Sequence, residues 1–482
     1  MPTTQPSIDA RAALRAAAKT TAARLVPGHG APEARHLALL AEVEPPPVPR
    51  VWTDDNAATL AAIVAARARR DALTAGSALV ARYFDGVHLI RPATLSPGAR
   101  SQLYSSVSEY CSLIGKPQIG AHFGAEALLF ADTAALRYRA LSVSAASHAL
   151  NGEYLIAEDE ATAAHALFAE HRWDPREKAQ MLLTADALVA ESRMDHARLD
   201  AIADEMTAAQ RDDPYVDYWA QTFRVLSHLL RRDHAEATAA SWQIMHSSRR
   251  QHSQRLARDF LTGVRSDVLL AQSDYAGAMA VVAQTSNPEG HGVCFSTNRA
   301  SCLLLLGRER ELIAETEACV APGTDHCLRT LTPILLRRAI AFHRLGSVAR
   351  ARQSMESALL LIKRNGKSAT PFVMLPGAEA LHLMEMCVAD QPGLGVNLPC
   401  IRDILALVGA PSTPPAREGL VAFTPAERAL VELLETPLSL AEIARRRGVS
   451  PNTVKSQVRS IYAKLDVGGR AAAVSKLALN AG

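Results

Sequence analysis

Through the middle of the chain, apolar residues at helical spacing stop at a short polar or glycine turn and resume at once as a second, alanine-rich run. The segments "ALNGEYLIAEDEATAAHALF", "LLRRDHAEATAASW" and "HRLGSVARARQSMESALLLI" share this form without sharing letters. Turns of this kind fall near Gly152, Arg193, Asp233, Asp274, Gly307 and Gly346, so successive turns lie 41, 40, 41, 33 and 39 residues apart. Such a period fits one helix–turn–helix pair with its return loop. An isolated helical hairpin cannot bury its own apolar stripe and must stack on neighbours. The pattern therefore predicts an all-α protein whose body is an α-solenoid of hairpins.

Breaks in the pattern mark the ends of that body. The cluster "AEVEPPPVPR" excludes regular helix and closes a first block, residues 1–52. The stretch 409–419, "GAPSTPPAREG", has the composition of a linker. Residues 53–408 are then the helical-repeat domain, a sensor or scaffold, and residues 420–482 a separate small domain. In the last hairpin Leu345, Gly346 and Ala351 are spaced as in a tetratricopeptide unit, which the repeats resemble, with a longer period and fewer aromatics. Residues 85–130 fit the theme poorly, and "YFDGVHLIRPATLSPGARSQLY" predicts a long loop.

Three helix starts crowd the C-terminal domain. Thr424 precedes Pro425 with Glu427 three positions on, Ser439 precedes a helix with Glu442 likewise placed, and Ser450 is followed by Pro451. In "SLAEIARRRGVSPNTVKSQV", Ala444 permits close approach of two helices, Gly448 supplies a left-handed turn, and Val454 packs between them. This is a helix–turn–helix pattern. At 100° per residue Val454, Val458, Ile461 and Leu465 form one stripe. The opposite face carries Asn452, Ser456, Arg459 and Ala463, with Lys455 and Ser460 at its margins. Small side chains there let a helix settle into a groove, where Lys455 and Arg459 can reach base edges or phosphate. Thr453 at the helix start, the run Arg445, Arg446, Arg447 and the flanking Lys464 are candidate phosphate contacts.

Charge supports this division. Residues 439–482 hold eight Lys or Arg against two acids, a net of +6, whereas the whole chain sums to +3. The anion-binding capacity is thus terminal, on a body of net −3. Aromatic residues make up only 5% of the chain and alanine is abundant, which favours helices packed through small side chains over β-sandwiches. No apolar run approaches the roughly twenty residues of a membrane span, and a cytoplasmic protein without membrane contact is expected. The basic segment "ARAALRAAAKTTAARLV" reads as a surface helix. Cys294, Cys302, Cys319 and Cys327 lie near His291 and His326, but their separations do not read as paired close-spaced zinc ligands, so no metal site and no cofactor are expected. Neither a nucleophile elbow nor a phosphate-binding loop is present, and the chain is expected not to be an enzyme.

From Phe423 onward, "FTPAERALVELL…SLAEIARRRGVSPNTVKSQVRSIYAKLDVGGRAAAV" resembles the C-terminal DNA-binding domain of LuxR-type bacterial transcription regulators. The resemblance implies a four-helix domain that binds double-stranded DNA, as a homodimer on an inverted repeat. It places Lys455, Ser456 and Arg459 near base edges and makes the helix with Ala472, Val474, Leu477 and Ala478 the dimerisation helix. Gln457 departs from the histidine of many members. The helical repeats would sense an effector or partner of unknown identity. Two other readings keep the same helices: a sigma-factor-like promoter-recognition protein, and a helical-repeat adaptor for protein partners.

Overall fold

A computed structural model describes residues 8–91, 95–209, 213–321, 326–366, 368–408 and, within 425–474, all but 435, 437, 466, 468, 471 and 472. The chain divides into two compact units, Met1–Ser412 and Thr413–Gly482. The fold is all-α: among the described residues there are 23 α-helices and one antiparallel pair of two-residue strands, Phe84–Asp85 and His88–Leu89. Among the described residues no helix is long and apolar enough to cross a membrane. The expected linker, 409–419, lies outside the described residues.

In the large unit, helices Ile8–Arg24 and Ala34–Ala41 cover one side of Asp54–Arg69, with Leu37 and Leu40 against Ile63 and Ala66. The prolines between them run without helix, as expected, and the carbonyl of Pro46 accepts from the Tyr83 hydroxyl. The stretch 83–104, expected to contain a long loop, does so only in its first part. Among the described residues 84–91 and 95–96 lack helix and hold the short strand pair, and helices Pro97–Leu113 and Pro117–Leu129 follow. The overlooked signal is "SPGA": Ser96 accepts from the Ala99 amide at 3.2 Å and Pro97 holds the first helical position. Helix Pro97–Leu113 is buried nearly all round, and its serines meet those of the next hairpin, Ser112 Oγ lying 2.8 Å from Ser147 Oγ.

Six helical hairpins follow: Ala134–Asn151 with Tyr154–Glu170, Gln180–Ser192 with His196–Ala209, Pro214–Leu230 with His234–His246, Arg255–Ala271 with Tyr275–Val282, Phe295–Leu305 with Glu309–Val320, and Leu328–Arg344 with Val348–Asn365. Each turn contains one residue of positive φ: Gly152, Met194, Arg232, Ser273, Gly307 and Gly346. These coincide with the six sequence turns to within one residue. Where the left-handed residue is not glycine, an aspartate next to it starts the second helix: Asp195, Asp233 and Asp274 accept from Arg198, Glu236 and Gly277 amides at 2.9, 3.3 and 2.8 Å.

Stacking does not stay between nearest neighbours. The first hairpin meets the sixth, 177 residues on: Asn151 Oδ1 accepts from the Leu328 amide at 3.2 Å and the Leu150 carbonyl from the Cys327 thiol at 3.2 Å. At Gly152, φ +87°, a Cβ would lie 2.9 Å from the backbone of Arg329, so both the turn and the contact require glycine. The helical hairpins therefore make contacts beyond their nearest neighbours as well.

Glu153 at this junction accepts from Asn151 at 2.9 Å and from Arg364 at 3.1 Å, and lies 3.1 Å from His148 Nδ1. The His148 imidazole first, then Asn151 and Arg364, hold its carboxyl down to about 2 despite partial burial. A folded value below the unfolded one stabilises above about pH 4.5 and is lost as pH falls toward 2. Glu153→Gln should therefore lower stability by on the order of 2–3 kcal/mol at pH 6, with the gap closing as pH drops below about 4. Urea midpoints from pH 3 to 7 read this directly, and a gap independent of pH would contradict it.

Candidate nucleic-acid interface

The small unit packs helices Pro425–Leu434, Leu440–Arg447 and Pro451–Leu465 around Leu430, Leu434, Ile443, Ala444, Val454, Val458 and Ile461. Thr424, the expected cap of the first, lies outside the described residues. The second begins with the expected capping box: the Glu442 amide donates to Ser439 Oγ at 3.3 Å and the Ser439 amide to Glu442 Oε2 at 2.8 Å. The Ser439 hydroxyl and amide hold the Glu442 carboxyl below its ordinary value. Gly448 ends the helix at φ +64°, and the Val449 amide returns to the Ala444 carbonyl at 3.1 Å. Two residues later Ser450 Oγ accepts from the Thr453 amide at 3.1 Å and opens the third helix.

On that third helix Val454, Val458 and Ile461 are buried, as the 100° spacing requires, while Asn452, Thr453, Lys455, Ser456, Arg459 and Ala463 are exposed together. Among the described residues neither Lys455 nor Arg459 makes an ion pair, so both cations are available on one face. The Ser456 hydroxyl donates to the Thr453 carbonyl at 2.9 Å and stays close to the helix, which keeps that face low. Ser460, at the margin, donates to buried Glu427 at 2.7 Å and ties the helix to Pro425–Leu434.

The arginine run divides. Arg445 and Arg446 are exposed. Arg447 donates to Gln457 Oε1 at 2.8 Å, which clasps the two helices together and accounts for the glutamine at that position. Arg470, counted in the terminal positive charge, turns inward: its guanidinium donates to the carbonyls of Leu434 at 3.0 Å, Leu433 at 3.4 Å and Thr436, capping the first helix. Sequence reasoning had no signal for these two roles beyond residue type. The Lys464 side chain and residues Ala472, Leu477 and Ala478 lie outside the described residues, and Val474 is helical and half-buried.

In the large unit, His291, Cys294, Cys319 and His326 bring one ligand atom each to within 4.8 Å of one another. Cys302 is instead buried beside Leu270 and Ala278, and Cys327 is bonded to the Leu150 carbonyl. Spacing along the chain does not pair these six residues, whereas folding brings four of them together.

Residues 421–477 match the family model described as bacterial regulatory proteins of the luxR family. Among curated proteins none matches the chain.

Proposed function

We propose, from the luxR-family helix–turn–helix domain at residues 421–477, that the chain is a sequence-specific DNA-binding regulator of transcription whose helical-repeat unit senses a ligand or protein partner. The observation that carries this reading is the exposed face of helix Pro451–Leu465, where two cations flank small side chains opposite a buried apolar stripe. In this reading Lys455, Ser456 and Arg459 read base edges in the major groove. Asn452, Thr453, Arg445, Arg446 and Lys464 position the phosphates, while Arg447 acts mainly through its clasp with Gln457. The helix around Val474, with Ala472, Leu477 and Ala478, pairs two copies on an inverted repeat. A place in the cytoplasm, where the DNA is, follows from the same reading.

Selection from a pool of random duplexes with the full chain tests it. Enrichment of an inverted repeat is the expected outcome. Equal retention of all duplexes, or retention of none, would remove DNA reading and favour the protein-adaptor reading.

A further inference from the structure

We propose that His291, Cys294, Cys319 and His326 form a closed zinc(II) site in the helical-repeat unit. The fifth hairpin supplies the two thiols at its open end: Cys294 immediately precedes helix Phe295–Leu305, and Cys319 lies in the last turn of Glu309–Val320. The two imidazoles come from the flanking connections, His291 three residues before Cys294 and His326 just ahead of helix Leu328–Arg344.

The three distances among His291, Cys294 and Cys319 are near those of a tetrahedral S₂N₂ shell, and His326 brings its ligand atom within 4.8 Å of each of the others. With Zn–S of about 2.3 Å and Zn–N of about 2.0–2.1 Å, tetrahedral angles put sulfurs ~3.8 Å apart and sulfur ~3.6 Å from nitrogen. Here Cys294 Sγ and Cys319 Sγ are 3.7 Å apart, and His291 Nδ1 lies 3.3 Å from the first and 3.9 Å from the second. The sulfur separation is far from the roughly 2.05 Å of a disulfide.

The surroundings are those of a ligand set. Cys294, Cys319 and His326 are buried. His326 Nδ1 lies 3.0 Å from the Cys327 carbonyl and donates to it, which leaves the lone pair on Nε2. That Nε2 is buried and makes no hydrogen bond among the described residues, an orphan a cation would satisfy. The Thr330 hydroxyl donates to the His291 carbonyl at 3.0 Å and holds the loop in place. Two sulfurs and two imidazoles, with no carboxylate among them, suit zinc over magnesium or calcium, and four protein ligands leave no open position for catalysis.

Such an ion would fasten a strap across the unit. The Gly292 amide donates to the Gly115 carbonyl at 2.9 Å, and Glu289 pairs with Lys116 at 2.5 Å and accepts from Ser77 at 2.7 Å. The loop carrying His291 and Cys294 thus docks on the N-terminal helices, while Cys319 and His326 belong to the fifth and sixth hairpins.

Full-length chain purified without chelator should carry one zinc per chain by elemental analysis. After chelator treatment under reducing conditions, added cobalt(II) should give the intense visible bands and thiolate charge-transfer absorption of a tetrahedral site, bleached by zinc. Chelation should lower the melting temperature, and zinc should restore it. Cys319→Ser and His326→Ala should each abolish stoichiometric zinc, whereas Cys302→Ala, outside the group, should keep it. Should those variants not fold, the cobalt spectrum of the unaltered chain decides alone. A folded, reduced chain that takes up no zinc, an octahedral cobalt spectrum, or a Cys294–Cys319 disulfide in protein alkylated at lysis overturns the proposal.

Discussion

Arg459→Ala in the full chain is expected to weaken binding to the selected duplex by about 1–3 kcal/mol, roughly 5- to 150-fold, and to relax preference at one position of each half-site. Lys455→Ala should act comparably. Both side chains project from the exposed face of the third helix, and among the described residues neither is engaged in an ion pair, so truncation removes a contact without breaking the fold. Arg445→Ala and Arg446→Ala should behave differently: each should reduce the slope of log affinity against log salt by about 1 while leaving the preferred sequence unchanged. Arg447→Ala should chiefly destabilise the small unit, since it opens the clasp to Gln457. Anisotropy titrations at several salt concentrations, with melting curves alongside, separate the three classes. If Arg459→Ala and Lys455→Ala both leave affinity and salt dependence unaltered, groove reading by this helix is wrong.

The largest stability effect is expected from Glu191→Ala. Glu191, in the second hairpin, accepts from Arg329 Nη2 with both carboxylate oxygens, at 3.0 and 2.9 Å, across 138 residues of sequence. Both side chains are about one-tenth exposed, and the Arg329 guanidinium lies 5.0 Å from the centre of the Phe260 ring. Removing only the carboxylate strands a buried cation, for which about 3–5 kcal/mol is the usual loss. Replacing both partners by apolar residues, Glu191→Leu with Arg329→Met, should recover much of that loss, because no unpaired charge remains. Urea denaturation of the single and double variants checks this. A single variant within about 0.5 kcal/mol of the parent would show that solvent reaches the site.

Much of the small unit was legible because its determinants are local. The Ser439–Glu442 box, the Gly448 turn and the burial of Val454, Val458 and Ile461 all follow from residues within four positions of one another. The inward turn of Arg470 was not, since a guanidinium in the sequence looks alike whether it faces phosphate or caps a helix over thirty residues away. Helices 97–113 and 117–129 were hidden by the proline and glycine that start the first of them.

By itself the sequence determined the all-helical class, the six hairpin turns and the helix–turn–helix, because helical periodicity, capping and left-handed turn residues act over one or two turns of chain. Only the tertiary structure decided which distant groups meet: Asn151 with Leu328, Glu191 with Arg329, and His291 and Cys294 with Cys319 and His326. Those contacts depend on how far each hairpin rotates on its neighbour, a quantity summed over many side-chain packings and written in no single segment.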